Sequence, residues 1–393
     1  MEPPGQERCA ECNVHCVYRL LLSNISPDAG STARPRRGAT TIVTDTGPRN
    51  AQGATEVVDV VALGESMVTF VPTAPGRLAD VGHFARGIGG AESNVVCALA
   101  AAGHTARWVS RVGADAFGDH LVTAIGAHGV DVASVRRDPA RPTGVYFRTA
   151  DDRSTAAHEV AYYRAGSAAS AMTVDSVDLT AARAGRVLHL SGITAALSPG
   201  CADLLRALLR PGPGRPLISF DVNHRPGLWR DGDAGRVLLE LARAADLVFV
   251  GEDEAAQAWG VRPGDPGAIR DLLPEPELLV VKDAGRGATV LAASSAVFAP
   301  ALAVDVVSTT GAGDAFAAGF LSATLRGLGA RARLRHGHLT AAAALTTPGD
   351  TAVPPARGHA DRLVALDDHA WGRLRLGPGW TEAPAAPQEV PAP

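Results

Sequence analysis

Lysine is nearly absent from this 393-residue chain: of its 37 basic residues, only Lys282 is not arginine. Ala, Gly and Pro are heavily used alongside, which looks like the codon bias of a GC-rich genome and carries little about function. Cysteine is scarce too. The five cysteines, at 9, 12, 16, 97 and 201, are an odd number, too few and too scattered for a disulfide framework, and they fit a reduced compartment. No uninterrupted apolar run reaches the roughly 18 residues needed to cross a bilayer, and Glu2 and Glu7 stand where a secretory signal would be basic. A cytoplasmic protein without a membrane partner is expected. The basic clusters are short (Arg34, Arg36, Arg37; Arg331, Arg333, Arg335) and the net charge is −4, so the concentrated basic face of a nucleic-acid binder is missing. No repeat with a period of about 20 to 50 residues is present, which excludes solenoids and propellers. What is abundant is apolar residue, 46% of the chain, enough for a sizeable α/β core.

Residues 1–56 show no sustained apolar period and are rich in Pro and Gly, as a disordered leader or an over-long gene start would be. Within them Cys9, Cys12, Cys16 and His15 could bind zinc, but no second ligand pair follows, and an incidental cluster is the other reading. Residues 57–372 alternate short apolar strands (58–63, 106–110, 186–191, 216–221, 246–250, 278–282, 288–292) with helical segments (91–102, 117–128, 199–210, 233–244, 252–259, 312–326, 331–345). Strands apolar on both faces belong in a parallel sheet, so the alternation predicts a three-layer α/β fold with a mainly parallel central sheet flanked by helices. Segments of about 66–86 and 143–163 break the pattern with short alternating runs and are expected to form a small β lid. A Pro/Ala-rich tail is expected over 373–393.

The most informative stretch is Ser308-Thr309-Thr310-Gly311-Ala312-Gly313-Asp314. A Gly-Ala-Gly turn running into a helix leaves backbone N–H groups pointing outward, where the helix dipole favours an anion. Asp314 in that first turn is either a simple cap or a base that accepts a proton from a hydroxyl attacking phosphorus. Gly89-Gly90 lets backbone approach a ligand closely, and Asn94 offers both donor and acceptor one turn into the next helix. A tight strand-to-helix turn with a capping Asn reads equally well.

These stretches resemble the motifs of the PfkB, or ribokinase-like, carbohydrate kinases. The similarity takes in the C-terminal Thr309 to Asp314 motif, the di-glycine motif Gly89 to Val95, and Gly113-x-Asp115-x-x-Gly118 through Gly129-Val130-Asp131, and runs roughly from residue 58 to 370. Within the family the stretches Gly64-Glu65, Tyr162-Tyr163-Arg164-x-Gly166-Ser167, His189 to Thr194 and Asp221-Val222-Asn223-x-Arg225 are similar to the 2-keto-3-deoxygluconate kinases. The resemblance implies a ribokinase-like fold and phosphorylation of that sugar acid at O6. It implies ATP and Mg²⁺, with room for a monovalent cation, and a homo-oligomer formed through the lid. Asp314 would be the base and the N–H groups of Gly311, Ala312 and Gly313 the anion hole. Gly90, Asn94, Tyr146, Tyr162, Arg164 and Arg225 would line the substrate, the two Arg forks suiting its carboxylate. A surface ion pair is the other fate open to each Arg, and packing between lid strands to each Tyr.

ATP would lie against Lys282, Gly285 and Gly287 as well as the Gly311 and Gly313 turn, although a plain hairpin also accounts for Gly285 and Gly287. Glu254 would organise Mg²⁺ through water, or simply mark an acidic helix N-terminus. Three positions depart from the family pattern: Ser308 stands for the usual Asp, Gly251 for the Asn of Asn-x-x-Glu, and His224 where Tyr is common. The alternatives are another kinase of the class, a fructokinase or a 2-keto-3-deoxygalactonate kinase, and a ligand-sensing homologue without turnover.

Overall fold

The computed structural model describes residues 55–149, 159–229 and 232–382. The central sheet has eight strands: β1 (Val58–Leu63), β4 (Ala106–Val109), β9 (Gly185–Ser191), β10 (Leu217–Asp221), β11 (Leu247–Gly251), β12 (Leu278–Asp283), β13 (Gly287–Leu291) and β14 (Ala296–Pro300). Their spatial order is β14-β13-β12-β11-β10-β9-β1-β4. Every pairing from β4 to β12 is parallel, and the two hairpin partners β13 and β14 close one edge antiparallel. β10 (LISFD) and β11 (LVFVG) are buried along their whole length, which is why their sequences are apolar on both faces.

One apolar layer packs Leu204, Leu205, Leu238 and Leu241 against Leu188, Leu190 and Phe220. The layer on the opposite face packs Phe316, Phe320 and Leu334 against Phe249, Val280 and Trp108. The observed helices begin where capping chemistry is available. Asp115 accepts from the N–H of Gly118 to start Ala116–Ala127, and Ser198 with Pro199 starts Pro199–Leu209.

A second sheet of four strands, in the order β3 (Phe84–Gly89), β2 (Met67–Pro72), β7 (Val145–Arg148) and β8 (Val160–Tyr163), is built from the segments expected to form the lid. Part of the second segment, 150–158, lies outside the described residues, as do Cys9, Cys12, Cys16 and His15. Two short pairings complete the strands, β5 (Arg111–Gly113) with β6 (Arg136–Asp138) and β15 (Ala303–Val304) with β16 (Arg375–Leu376). The last pairing corrects the expected tail. Arg375 and Leu376 are held in register with Ala303 and Val304, and the indole N–H of Trp380 donates to Thr346 Oγ1 at 3.2 Å, so ordered chain continues past residue 373.

The helices Ala312–Leu325 and Ala330–Leu345 lie closely together because Gly319 carries no side chain: a Cβ there would fall 2.4 Å from both the His336 carbonyl oxygen and Thr340 Oγ1. Alanine in a helix interior ordinarily stabilises relative to glycine, by about 1 kcal/mol. At this site crowding wins, and Gly319→Ala is expected to destabilise by about 1–3 kcal/mol in urea unfolding.

Candidate active site

The parallel strands end at one edge of the sheet, where open α/β folds gather ligands. The chain enters the Ala312–Leu325 helix there through Gly311, whose φ of 77° is left-handed and which a Cβ would drive to 2.4 Å from the Asp350 carbonyl oxygen. The turn therefore presents the first backbone N–H groups of that helix outward. Asp314 sits one residue beyond the turn, and Asn94 Nδ2 donates to its Oδ2 at 2.9 Å from the helix Ala91–Ala101. Burial pushes the Asp314 carboxyl up to about 7; the negative charge of Asp221 adds to this, while the Asn94 bond, Lys282 and Arg225 oppose it. A carboxylate near neutrality is suited to exchanging a proton at ordinary pH.

Lys282 stands beside them at the end of β12, its Nζ 3.1 and 3.2 Å from the two Asp221 oxygens. Burial disfavours its charge, yet the Asp221 and Glu254 carboxylates outweigh that and hold its pKa above the usual value. Glu254 accepts the Gly251 N–H at 2.8 Å and has Arg225 Nη1 3.6 Å from its other oxygen. Burial raises its pKa as well, against the pull of Lys282. Among the described residues no three His, Cys, Asp or Glu side chains cluster to hold a metal by themselves. A carboxylate such as Glu254 would suit Mg²⁺, which keeps most of its waters and binds mainly through substrate phosphates.

Each of the two Arg forks expected to suit a carboxylate has an acidic neighbour. Arg164 forms an ion pair with the buried Glu65, whose other oxygen accepts from Ser167 Oγ at 2.5 Å. Arg225 is more exposed, at 56%, and points between Glu254 and the carbonyl of His224. Both line a cavity of about 860 Å³ with Tyr162, Ile193, Leu228 and Trp229. Tyr162 is 54% exposed and tilts over Tyr146, ring centroids 5.3 Å apart. Tyr146 itself is buried, its hydroxyl bonded to Asp350, so the two tyrosines are not equivalent wall residues. Gly90 lies at the turn below: a Cβ would meet the Glu65 carbonyl oxygen at 2.4 Å.

Gly285 and Gly287 sit in the hairpin between β12 and β13. Gly287 is required by the sheet itself, since a Cβ would strike the Ala299 carbonyl oxygen at 2.4 Å, whereas Gly285 faces open space. Ser308 is buried, and its Oγ accepts from the Thr310 N–H at 3.3 Å, bracing the turn.

Four acidic residues that the motif pattern does not mark out as contacts belong to this region: Glu65, Glu92, Asp221 and Asp350. Glu92, fully buried, accepts from Thr194 Oγ1 at 2.6 Å and is pushed up to about 8 chiefly by burial, helped by the charge of Asp314. Asp350 takes Tyr146 and, at 3.0 Å, Arg148 from the lid sheet. Glu65 and Glu92 lie within family-like stretches, but nothing in their spacing tells a buried acid from a surface one. Asp350 follows Pro348-Gly349 in what reads as an ordinary loop.

Residues 58–357 match the pfkB family carbohydrate kinase pattern. The 2-dehydro-3-deoxygluconokinase of Bacillus subtilis is 34% identical over 305 residues, 76% of this chain and 93% of that protein. The enzyme of the same name from Thermoproteus tenax is 32% identical over 313 residues, 79% and 95% of the two chains. Among solved structures, a PfkB protein from Polaromonas sp. JS666 superposes with a TM-score of 0.67 at 31% identity, covering 77% of this chain and 99% of the other. A sugar kinase of Pyrococcus horikoshii in complex with ATP gives 0.67 at 25% identity, covering 80% and 100%.

The buried acids have a consequence for stability. Glu92, near 8, and Asp314, near 7, hold protons in the folded protein that the unfolded chain releases at lower pH. Their stabilisation is therefore complete only below about pH 4, where the unfolded chain is protonated too, and is lost progressively as pH rises to about 8. The melting temperature is expected to fall between about pH 4 and pH 8, and Glu92→Gln to flatten that slope without abolishing it. A slope unchanged by the substitution would show that Glu92 is ionised in the fold.

Proposed function

The chain belongs to the pfkB family of carbohydrate kinases, and from that premise we propose that this ATP-dependent kinase phosphorylates 2-keto-3-deoxygluconate at O6. The observation that carries the chemistry is the buried Asp314, aimed by Asn94 beside a glycine turn whose N–H groups face outward. The substrate hydroxyl oxygen bonds to the γ-phosphorus of ATP as the bond to the β-phosphate oxygen breaks. The electron pair leaves with ADP, and the hydroxyl proton passes to Asp314. The N–H groups of Gly311, Ala312 and Gly313 stabilise the charge on the transferring group. Lys282 and the Gly285–Gly287 hairpin flank the nucleotide. Glu254 would hold Mg²⁺ through water, and the ion would neutralise phosphate charge there.

The choice of a sugar acid rests on Arg164 and Arg225 sharing one cavity and on the activity named for the Bacillus and Thermoproteus relatives. Glu65 engages one edge of the Arg164 guanidinium and fixes its direction, leaving N–H groups for a carboxylate in the fork geometry. Asn94 Oδ1 and Asn223 Oδ1 are buried acceptors without a partner among the described residues, suited to substrate hydroxyls. The lid sheet bearing Tyr146 and Tyr162 would keep water from the phosphorus. A fructokinase is the second reading, since Glu65 already neutralises Arg164 and fructokinase-2 of maize is 32% identical over 67% of this chain.

A coupled ADP-release assay with Mg·ATP against 2-keto-3-deoxygluconate, 2-keto-3-deoxygalactonate, gluconate, fructose and ribose decides between them. Preference for the first is expected; preference for fructose refutes the carboxylate clamp, and silence across the panel favours the ligand-sensing homologue. Asp314→Asn should keep ATP and substrate binding while kcat drops by about 10³-fold, and retained turnover would sink the base assignment. The base must be ionised to act, so wild-type kcat/KM is expected to rise with pH and level off above about 7.

A further inference from the structure

In a chain whose composition has made every other basic position arginine, position 282 keeps an ammonium. Lys282 on β12 and Asp221 on β10 are separated by β11, which pairs Gly251 with Lys282 and Phe249 with Asp221. The period of two along a strand puts Phe249, Gly251, Lys282 and Asp221 on one face of the sheet. Gly251 brings no side chain to that level. The Lys282 stem therefore crosses the intervening strand to reach both Asp221 oxygens. An ammonium has three N–H donors, and no acceptor besides Asp221 bonds it among the described residues. Nζ lies 3.9 Å from the point that a Cβ on Gly313 would occupy, directly beside the anion-hole turn. With Lys282 19% and Asp221 3% exposed, the pair is nearly dry, and a charge there is little screened.

We propose that Lys282 is a catalytic residue whose third N–H bonds a non-bridging oxygen of the transferring γ-phosphoryl group, and that Asp221 is the positioning residue that aims it across Gly251. The inference rests on the phosphoryl-transfer reading above and on ATP as donor, not on which sugar is the acceptor. As the substrate oxygen bonds to phosphorus and the β-phosphate oxygen leaves with its electron pair, the hydroxyl proton goes to Asp314. The ammonium keeps its three protons and follows the charge. A guanidinium is not equivalent: its planar fork would engage Asp221 through two parallel N–H bonds and hold its remaining donors in that plane.

Lys282→Gln combined with Asp221→Asn tests this, because it removes both charges together and leaves neither buried and unpaired. The double variant is expected to melt near the wild type and to bind ADP within about threefold of it. Affinity for β,γ-imido ATP should fall about tenfold or more, and kcat about 10²- to 10³-fold. A pair that only holds the fold together predicts turnover within about threefold of the wild type, and that result overturns the proposal. Asp221→Asn alone keeps the ammonium but loses its aim. Its kcat should fall and the acid limb of its pH profile should move to lower pH, since Asp314 faces Asp221, Lys282, Arg225 and Glu92 and loses a negative neighbour. An unmoved limb overturns the role of Asp221. If the wild type prefers fructose, the sugar-acid reading falls and the same variants are assayed with fructose. If no sugar is phosphorylated, the comparison of β,γ-imido ATP with ADP still decides whether Lys282 meets the γ-phosphoryl group.

Discussion

Buried negative charge is the constraint around which this end of the sheet is built. Asp221, Glu254 and Asp314 share the carboxyl edge with one ammonium, that of Lys282, and ATP would add several negative charges more. Carboxylates withdrawn from water and crowded together cannot all stay ionised at low cost. The fold answers in two ways. It lets Asp314 rise to about 7, so that its carboxylate is a stronger proton acceptor than an ordinary aspartate, and it sets its cations locally, Lys282 on Asp221 and Arg225 towards Glu254. Phosphate charge brought to an edge of this sign is best accommodated with further positive charge beside it.

The second organising contact is Asp350. Its side chain receives Tyr146 and Arg148 from β7, and its backbone carbonyl fills the space where Gly311 lacks a Cβ. One residue thus touches both the lid sheet and the turn that opens the Ala312–Leu325 helix. A buried ion pair of this kind contributes less to stability than to geometry, because desolvation offsets most of its attraction. Its effect is to tie the position of β7 to that of the glycine turn at Gly311.

Much of this was legible in the sequence, for reasons that can be named. The strands of the parallel core are continuous apolar runs, and helices such as Pro199–Leu209 carry their own start signals, so their ends fall within a residue or two of expectation. β14 was not legible, because AVFAP, with Ala and Pro, lacks a strand's composition and is held by pairing to β13. The short helices Gly192–Leu197 and Arg357–Val364 were missed for the same reason, being fixed by tertiary packing more than by period. In the site, the glycine turn and Asp314 announce themselves by spacing. The buried acids around them do not: Glu65, Glu92 and Asp350 are single acids whose burial comes from folding, and the close approach of β14 that requires Gly287 is not visible in its spacing.

Two of the three departures from the family pattern, Ser308 and Gly251, can be weighed on the same electrostatic ground. An Asp in place of Ser308 would bring another carboxylate to an edge already crowded with them, whereas the Ser308 hydroxyl takes the Thr310 N–H and keeps the turn braced without charge. At position 251 a side chain would begin 2.4 Å from Asp253 Oδ1 and 3.3 Å from Glu254 Oε2, on the face that the Lys282 stem crosses. Both changes therefore remove polar bulk where charge is dense, and neither touches Asp314 or the Asn94 amide that aims it.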